Sequence, residues 1–211
     1  ETTDDFAQLL QGCVEHLGCS VGALLIPDKN IAVCRTGKGT TPRAGAEALT
    51  RSHRQLLAWT QLHRQTMTAN QPGAGGQFGA LPYKIMSCPV MHGAQRVLGI
   101  LALFKPPSAP DFDLRQVRLV ELLARRVAYI LMNAYDPTTG LLTRPAFEKR
   151  AHAMLAPGCG GSCVIYVDID RLHVLNENLG MHVGDEVIVR VADAIRLSVT
   201  PRMLASLISG D

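Results

Sequence analysis

One long amphipathic stretch, Asp113 to Tyr135, constrains this chain more than any other feature, and it opens just after the Pro106-Pro107 break. Val117, Val120, Ala124, Val127, Leu131 and Ala134 recur three and four residues apart, which is the spacing of one helix face. Leu119, Leu123 and Ile130 mark a second face. Asp113 and Gln116 stand at capping-box spacing, so the helix is expected to start there. One stripe can close a domain while the other pairs with a second copy of the helix. A single wide core-facing surface fits the same pattern equally well. The residues before and after this helix follow different patterns, so it divides the chain into two parts.

The first part reads as helix, strand pair, helix, strand pair. TTDD followed by Phe6, Leu9, Leu10, Cys13, Val14 and Leu17 is a capped amphipathic helix. Val21 to Ile26, a Pro-Asp-Lys-Asn turn and Ile31 to Arg35 form a hairpin pattern. A helix is expected over Pro42 to Thr68, then a Gly-rich loop over Gln71 to Gly79. Strands follow at Tyr83 to Met91 and Arg96 to Phe104. This order predicts an α+β domain on an antiparallel sheet.

The second part opens on the polar DPTTGLLTR and a helix over about 145–155, followed by a Pro-Gly-Cys-Gly-Gly loop. The run CVIYVDID then reads as a buried strand with acids at its exit. A short helix, a Gly-containing loop, a helix from about Glu186 to Val199 and a strand at Leu204 to Ile208 complete the pattern.

Composition removes several classes of function. Across 211 residues, 47% are hydrophobic and 18% charged, which excludes a disordered chain. A net charge of +3 without a basic run argues against a nucleic-acid partner. No apolar run reaches the length of a membrane span and no signal peptide stands at the start, so a cytoplasmic location is expected. A chain running from Glu1 to Asp211 is expected to be a piece of a longer protein, with any membrane anchor outside it. The six cysteines form no CxxC pair and are expected to be reduced thiols. Cys159 and Cys163 have no further ligands beside them in sequence, which argues against zinc.

Chemistry is concentrated in the second part. On a strand, Asp168 and Asp170 would project from one face with Ile169 on the other. Two acids at the end of a buried strand are costly unless something offsets their charge. A hard cation that takes oxygen ligands would do so. So would a helix cap for one acid and an arginine for the other.

The segments DPTTGLLTRPAF (136 to 147) and VDIDRLHVLNENLGMHVGDEV (167 to 187) resemble the two opening signatures of GGDEF domains, the diguanylate cyclase family. The resemblance implies a partial GGDEF domain of the nucleotidyl cyclase palm type over 136–211. It implies GTP as partner and Mg²⁺ as cofactor, with Asp168 and the backbone carbonyl of Ile169 as metal ligands. Asn176 and Asp185 are implied to bond the guanine, and Asp211 to be the catalytic acid of the signature. On residue type alone, Asn176 also reads as a helix-surface polar group and Asp185 as an N-cap. The first part is similar to GAF domains in element order, in its hairpin over 83–104 and in its exit helix. That implies a sensor or dimerisation role with an unidentified ligand. Cys88, ahead of Pro89, reads as a buried strand thiol or as a chromophore attachment point. His53, His63 and His92 read as surface residues.

The expected organisation is a GAF-like domain over 1–109, a connecting helix over 110–135 and the GGDEF-like part over 136–211. Departures from the family pattern bear on activity. Leu172 and His173 replace Phe and Lys, Glu177 replaces Asp, and Met181 replaces His. Leu207 stands for the arginine and Ser209 for the first glycine of the R-x-G-G-D-E-F hairpin, with Gly210 and Asp211 retained. Thr200 to Met203 read TPRM where the family's inhibitory RxxD would fall. Cyclases of this family hold one GTP in each half of a dimer, and their catalysis is mainly positioning and charge neutralisation. A serine restricts positive φ, and the leucine removes a cation. The leading expectation is a regulatory module of cyclic-di-GMP metabolism that binds GTP and Mg²⁺, cyclises poorly, forms a homodimer and precedes an EAL phosphodiesterase domain. The residues through Asp211 are expected to be inactive alone. The rival expectations are an active diguanylate cyclase in the full-length protein and a dimerisation module without nucleotide.

Overall fold

The computed structural model describes residues 2–72, 82–155, 161–200 and 202–208, with side chains of 2–4 left aside. It divides into two compact units, Glu1–Tyr129 and Ile130–Asp211.

In the first unit, α1 (Thr2–His16) leads into β1 (Val21–Ile26). A 3₁₀ turn at Pro27–Lys29 closes on the left-handed Asn30, and β2 (Ile31–Thr36) runs back antiparallel. α2 (Pro42–His63) starts at Thr41, whose hydroxyl accepts the Ala44 amide at 3.3 Å. It ends at Arg64, a left-handed cap whose amide donates to the Thr60 carbonyl at 2.8 Å. The helix is therefore shorter than the expected Pro42 to Thr68. Met67–Ala69 instead forms β3, an edge strand on β4 (Lys84–His92). β4 pairs with β5 (Arg96–Lys105), and the five-stranded antiparallel sheet runs β2-β1-β5-β4-β3. Most of the expected Gly-rich loop lies at 73–81, outside the described residues.

Helices pack on this sheet, and β1 is buried along its whole length. Leu56 of α2 joins Val21, Leu25, Ile85, Ile100, Ala102 and Phe104 in one core, flanked by Leu49, Leu57 and Trp59. On the alternate strand positions, α1 brings Leu10 and Val14 onto Gly22. A Cβ at Gly22 would lie 2.6 Å from a Val14 methyl, so the glycine sets how closely α1 approaches.

α3 (Leu114–Ala134) is the long amphipathic helix. Asp113 caps it, accepting the Gln116 amide at 2.8 Å. The reciprocal half of the capping box is not made, because the Gln116 carbonyl oxygen accepts from Lys105 Nζ instead. Val120, Ala124, Val127 and Leu131 are buried by the chain itself. Of the two stripes, this is therefore the one that closes the fold, and it is not free to pair with a second copy of the helix. Leu114, Leu119, Leu122, Tyr129 and Met132 are the exposed large apolar residues of the helix. Among the described residues no helix is long and apolar enough to cross a membrane.

In the second unit, Asp136 organises the DPTTGLL segment. Its carboxylate accepts from the Thr138 and Thr139 amides and from the Thr139 hydroxyl, and Gly140 follows at φ 69°. β6 (Leu142–Thr143) pairs in parallel with β7 (Ser206–Leu207), and α4 (Arg144–Met154) follows β6. α5 (Leu172–Leu179) and α6 (Met181–Ser198) pack together, and Arg196 donates to the Thr139 carbonyl at 3.4 Å. The Pro-Gly-Cys-Gly-Gly loop falls at 156–160, outside the described residues.

The expected buried strand through CVIYVDID is not formed. Val164, Ile165 and Tyr166 are 70–80% exposed and pair with no strand among the described residues. Apolar composition shows that a segment favours cover, but a strand exists only where a neighbour supplies its hydrogen bonds.

Candidate functional site

The α5–α6 hairpin positions the residues that the sequence singled out for nucleotide contact. Its hinge is one residue, Gly180, at φ 91° and ψ 153°, a region essentially closed to side chains other than glycine's. The Gly180 amide donates to the Asn176 carbonyl at 2.9 Å, ending α5, and α6 begins at the next residue. α6 therefore starts five residues before the expected Glu186. Asp185 is not its N-cap, since Gly180 holds that position, and lies exposed in the second turn.

Folding back at Gly180 brings Asn176 against Gly184. A Cβ at Gly184 would stand 1.8 Å from Asn176 Oδ1, so only glycine leaves that space. Asn176 Oδ1 is buried and has no hydrogen-bond partner among the described residues. An orphaned buried carbonyl oxygen forfeits about 1–3 kcal/mol of solvation and marks a place where a donor is wanted. The plain surface role for Asn176 does not fit this geometry. Gly184 was the residue that sequence reasoning passed over. Its signal was a glycine inside a helical pattern, one position before Asp185.

The proposed metal ligands are less organised. Asp168 is exposed and Ile169 half-buried, on an irregular segment rather than a strand. Two carboxylates on one strand face is thus not the arrangement found. Ile169 turns the chain into α5, its carbonyl accepting the Leu172 amide at 3.3 Å, and Arg171 follows in the left-handed region as N-cap without a side-chain cap bond. Neither Asp168 nor Asp170 caps that helix. Among the described residues, no three His, Cys, Asp or Glu side chains gather into a cation cluster. Asp211, together with Ser209 and Gly210, lies outside the described residues.

In the first unit Cys13, Cys19 and Cys88 are buried and Cys34 is half-buried. Cys88 sits in β4, 1% exposed, with Thr66 hydroxyl 3.4 Å from its sulfur. Burial pushes its thiol up to about 11, which disfavours the thiolate that any covalent attachment needs. Cys13 and Cys19 are raised to about 11 and about 12 by the same cause. Cys13, Cys19, Cys34, Cys88 and Cys163 are all free.

Family models account for the chain in two consecutive pieces. The model described as GAF domain matches residues 2–132, more than half of the chain, and the model described as Diguanylate cyclase, GGDEF domain matches 133–211. The chain belongs to the GAF family, followed by a GGDEF segment. Among curated proteins it is similar to Cyclic di-GMP phosphodiesterase PdeB of Shewanella oneidensis, 34% identical over 77 residues. That match covers 36% of this chain and 9% of the relative, so the chain spans under a tenth of that protein's length. Two similar solved structures are GAF domains. One, from an Acinetobacter phosphoenolpyruvate-protein phosphotransferase, is 16% identical at TM-score 0.49 and covers 64% of this chain and 84% of its own. The other, from a GAF domain/HD domain protein of Geobacter sulfurreducens, is 12% identical at TM-score 0.48, with 62% and 92% covered.

Proposed function

We propose that this GAF–GGDEF chain is a regulatory module of cyclic-di-GMP metabolism, whose GGDEF segment recognises GTP but cyclises it poorly. The observation that carries the proposal is the unpartnered, buried Asn176 Oδ1 against Gly184, the residue before Asp185. Guanine presents N–H donors at N1 and N2 along its pairing edge, whereas adenine presents an acceptor at N1. Two oxygen acceptors, Asn176 Oδ1 and the Asp185 carboxylate, complement the first edge and repel the second. The Asp168 carboxylate and the Ile169 carbonyl are oxygen donors of the kind Mg²⁺ takes, and they would hold it at the phosphates. When bound, that ion would neutralise phosphate charge. Leu207, in β7, brings no cation to the phosphates, and this supports weak catalysis. In this reading the protein acts in the cytoplasm as a homodimer and regulates an EAL domain of the same polypeptide. The exposed face of α3 is the one available for pairing.

Titration calorimetry of the intact protein with Mg²⁺ is expected to show GTP binding in preference to ATP. Equal affinity for the two, or no heat with GTP, overturns the proposal. Asn176→Ala should cost the guanine preference about 1 kcal/mol, one hydrogen bond's worth.

Gly184→Ala provides a sharper test. The added methyl meets only the tip of a flexible side chain, so Asn176 swings away and α6 keeps its backbone. Alanine adds up to about 1 kcal/mol of helix propensity, so melting should hold or rise slightly. Guanine preference is nevertheless expected to fall as far as in Asn176→Ala, and the two changes combined should cost no more than either one alone.

A further inference from the structure

Two lysines lie buried at one end of the GAF sheet. Lys84 opens β4 and Lys105 closes β5, and the strand register places them directly opposite each other. They are only 9% and 2% exposed. Like charges in that relation repel, and a buried ammonium is costly unless its N–H groups are bonded. Their bonds converge on the short connector between β5 and α3 and on the first turn of α3. Lys84 Nζ donates to the Ala109 carbonyl at 2.6 Å and to the Asp111 carboxylate at 2.7 Å. Lys105 Nζ donates to the Pro110 carbonyl at 3.3 Å and to Gln116 Oε1 at 2.9 Å, and lies 4.4 Å from the centre of the Phe112 ring. Asn70, just past β3, grips Phe112 from both sides. Its amide donates to the Phe112 carbonyl at 3.3 Å and its oxygen accepts the Phe112 amide at 2.9 Å.

We propose that Asn70, Lys84 and Lys105 form a polar clamp on the β5–α3 connector, and that its release is the step that lifts the start of α3 from the sheet. The connector has no ladder or helix of its own at Ala109 to Phe112, so these side chains satisfy its carbonyls. Among the partners named, Asp111 alone carries a formal negative charge, against two ammonium groups. Losing one connector bond leaves a buried charge underpaired, so the remaining bonds fail together and the clamp behaves as closed or open. Below the start of α3, Thr66 joins its hydroxyl to Glu121 of α3 at 2.8 Å and stands 3.4 Å from the Cys88 sulfur. Cys88 thus reports whether α3 is seated. α3 is also the segment that carries the chain out of the GAF unit. The clamp is the place where a change in the sheet would be passed to it.

The test uses the full chain with Lys84→Met and, separately, Asp111→Asn, whose side chain is two-thirds exposed and leaves both lysines in place. Iodoacetamide labelling is followed cysteine by cysteine through peptide masses, alongside amide hydrogen exchange. Lys84→Met should speed Cys88 labelling about tenfold and deprotect the Ala109, Phe112, Gln116 and Val117 amides to a similar degree, with Asp111→Asn giving about threefold. Cys13, on the buried face of α1, should keep its rate in both. The clamp is overturned if Cys88 and the connector amides stay as protected as in the unmodified protein. It is equally overturned if Cys13 accelerates in step with Cys88, since the lysines would then merely hold the whole domain together. Should Lys84→Met fail to fold, the Asp111→Asn pair of rates decides.

Discussion

Val127→Glu is expected to unfold the GAF unit rather than dissociate an assembly. Val127 is fully buried by the chain itself, with Val120 and Ala124 beside it in the same stripe. A carboxylate there cannot reach water unless α3 leaves its seat. An underpaired buried charge costs about 3–5 kcal/mol, a large share of what a domain this size has in reserve. Denaturant titration should show the midpoint collapsing, with circular dichroism already altered in buffer. The matching control is Leu122→Glu, 60% exposed on the opposite side of the helix. Its stability should stay within about 0.5 kcal/mol of the unmodified chain. If the outer face pairs with a second copy, light scattering will show Leu122→Glu shifting towards monomer while its melting is unchanged. A folded, stable Val127→Glu protein would show that α3 does not close the domain.

Gly99→Ala is expected to produce the other large loss. Gly99 lies in β5 opposite Val90, where the β4–β5 register shifts between Val90 and Met91. A Cβ there would stand 2.0 Å from the Leu25 carbonyl oxygen and 2.7 Å from the Ile26 terminal methyl. The first obstacle is backbone in β1, which cannot rotate aside as a side chain does. β1 must move away from β5, and the two central strands lose their ladder. Overpacking of this kind costs about 3 kcal/mol or more, which corresponds to a fall in melting temperature of about 6–12 °C for a chain of this length. Gly12→Ala makes the contrast. Its Cβ would meet nothing within 4 Å, and alanine in a helix interior should add about 0.5–1 kcal/mol. Differential scanning calorimetry of both variants tests the pair. An unchanged melting temperature for Gly99→Ala would mean that the central strands tolerate a wider spacing.

The candidate site was legible in the sequence because motif spacing is a local property. Asp168, Asn176 and Asp185 keep fixed distances along the chain whatever the fold does, so motif spacing alone marks them as candidates. Their present arrangement was not legible. That Asn176 Oδ1 is buried without a partner among the described residues depends on Gly180 turning α5 back so that Gly184 lies against it. Single-residue backbone geometry of that kind leaves no periodic trace.

In the GAF unit the helices and the four longer strands are readable from the residues, because each carries a strong period or a turn signal, although α2 stops at His63 short of the expected Thr68. Val21 to Ile26, the Pro-Asp-Lys-Asn turn and the strand after it are local chemistry. Which stripe of α3 faces inward follows from packing alone, since periodicity defines faces but tertiary cover defines the inside. Packing also took Gln116 from the capping box and gave it to Lys105, because a buried ammonium outbids a solvated amide. It made a strand of Met67–Ala69, where β4 offered an edge. It made none of Val164 to Val167, where the described residues offer no neighbour. A helix satisfies its own backbone and can be read from its own residues, whereas a strand is completed by a partner that its sequence does not contain.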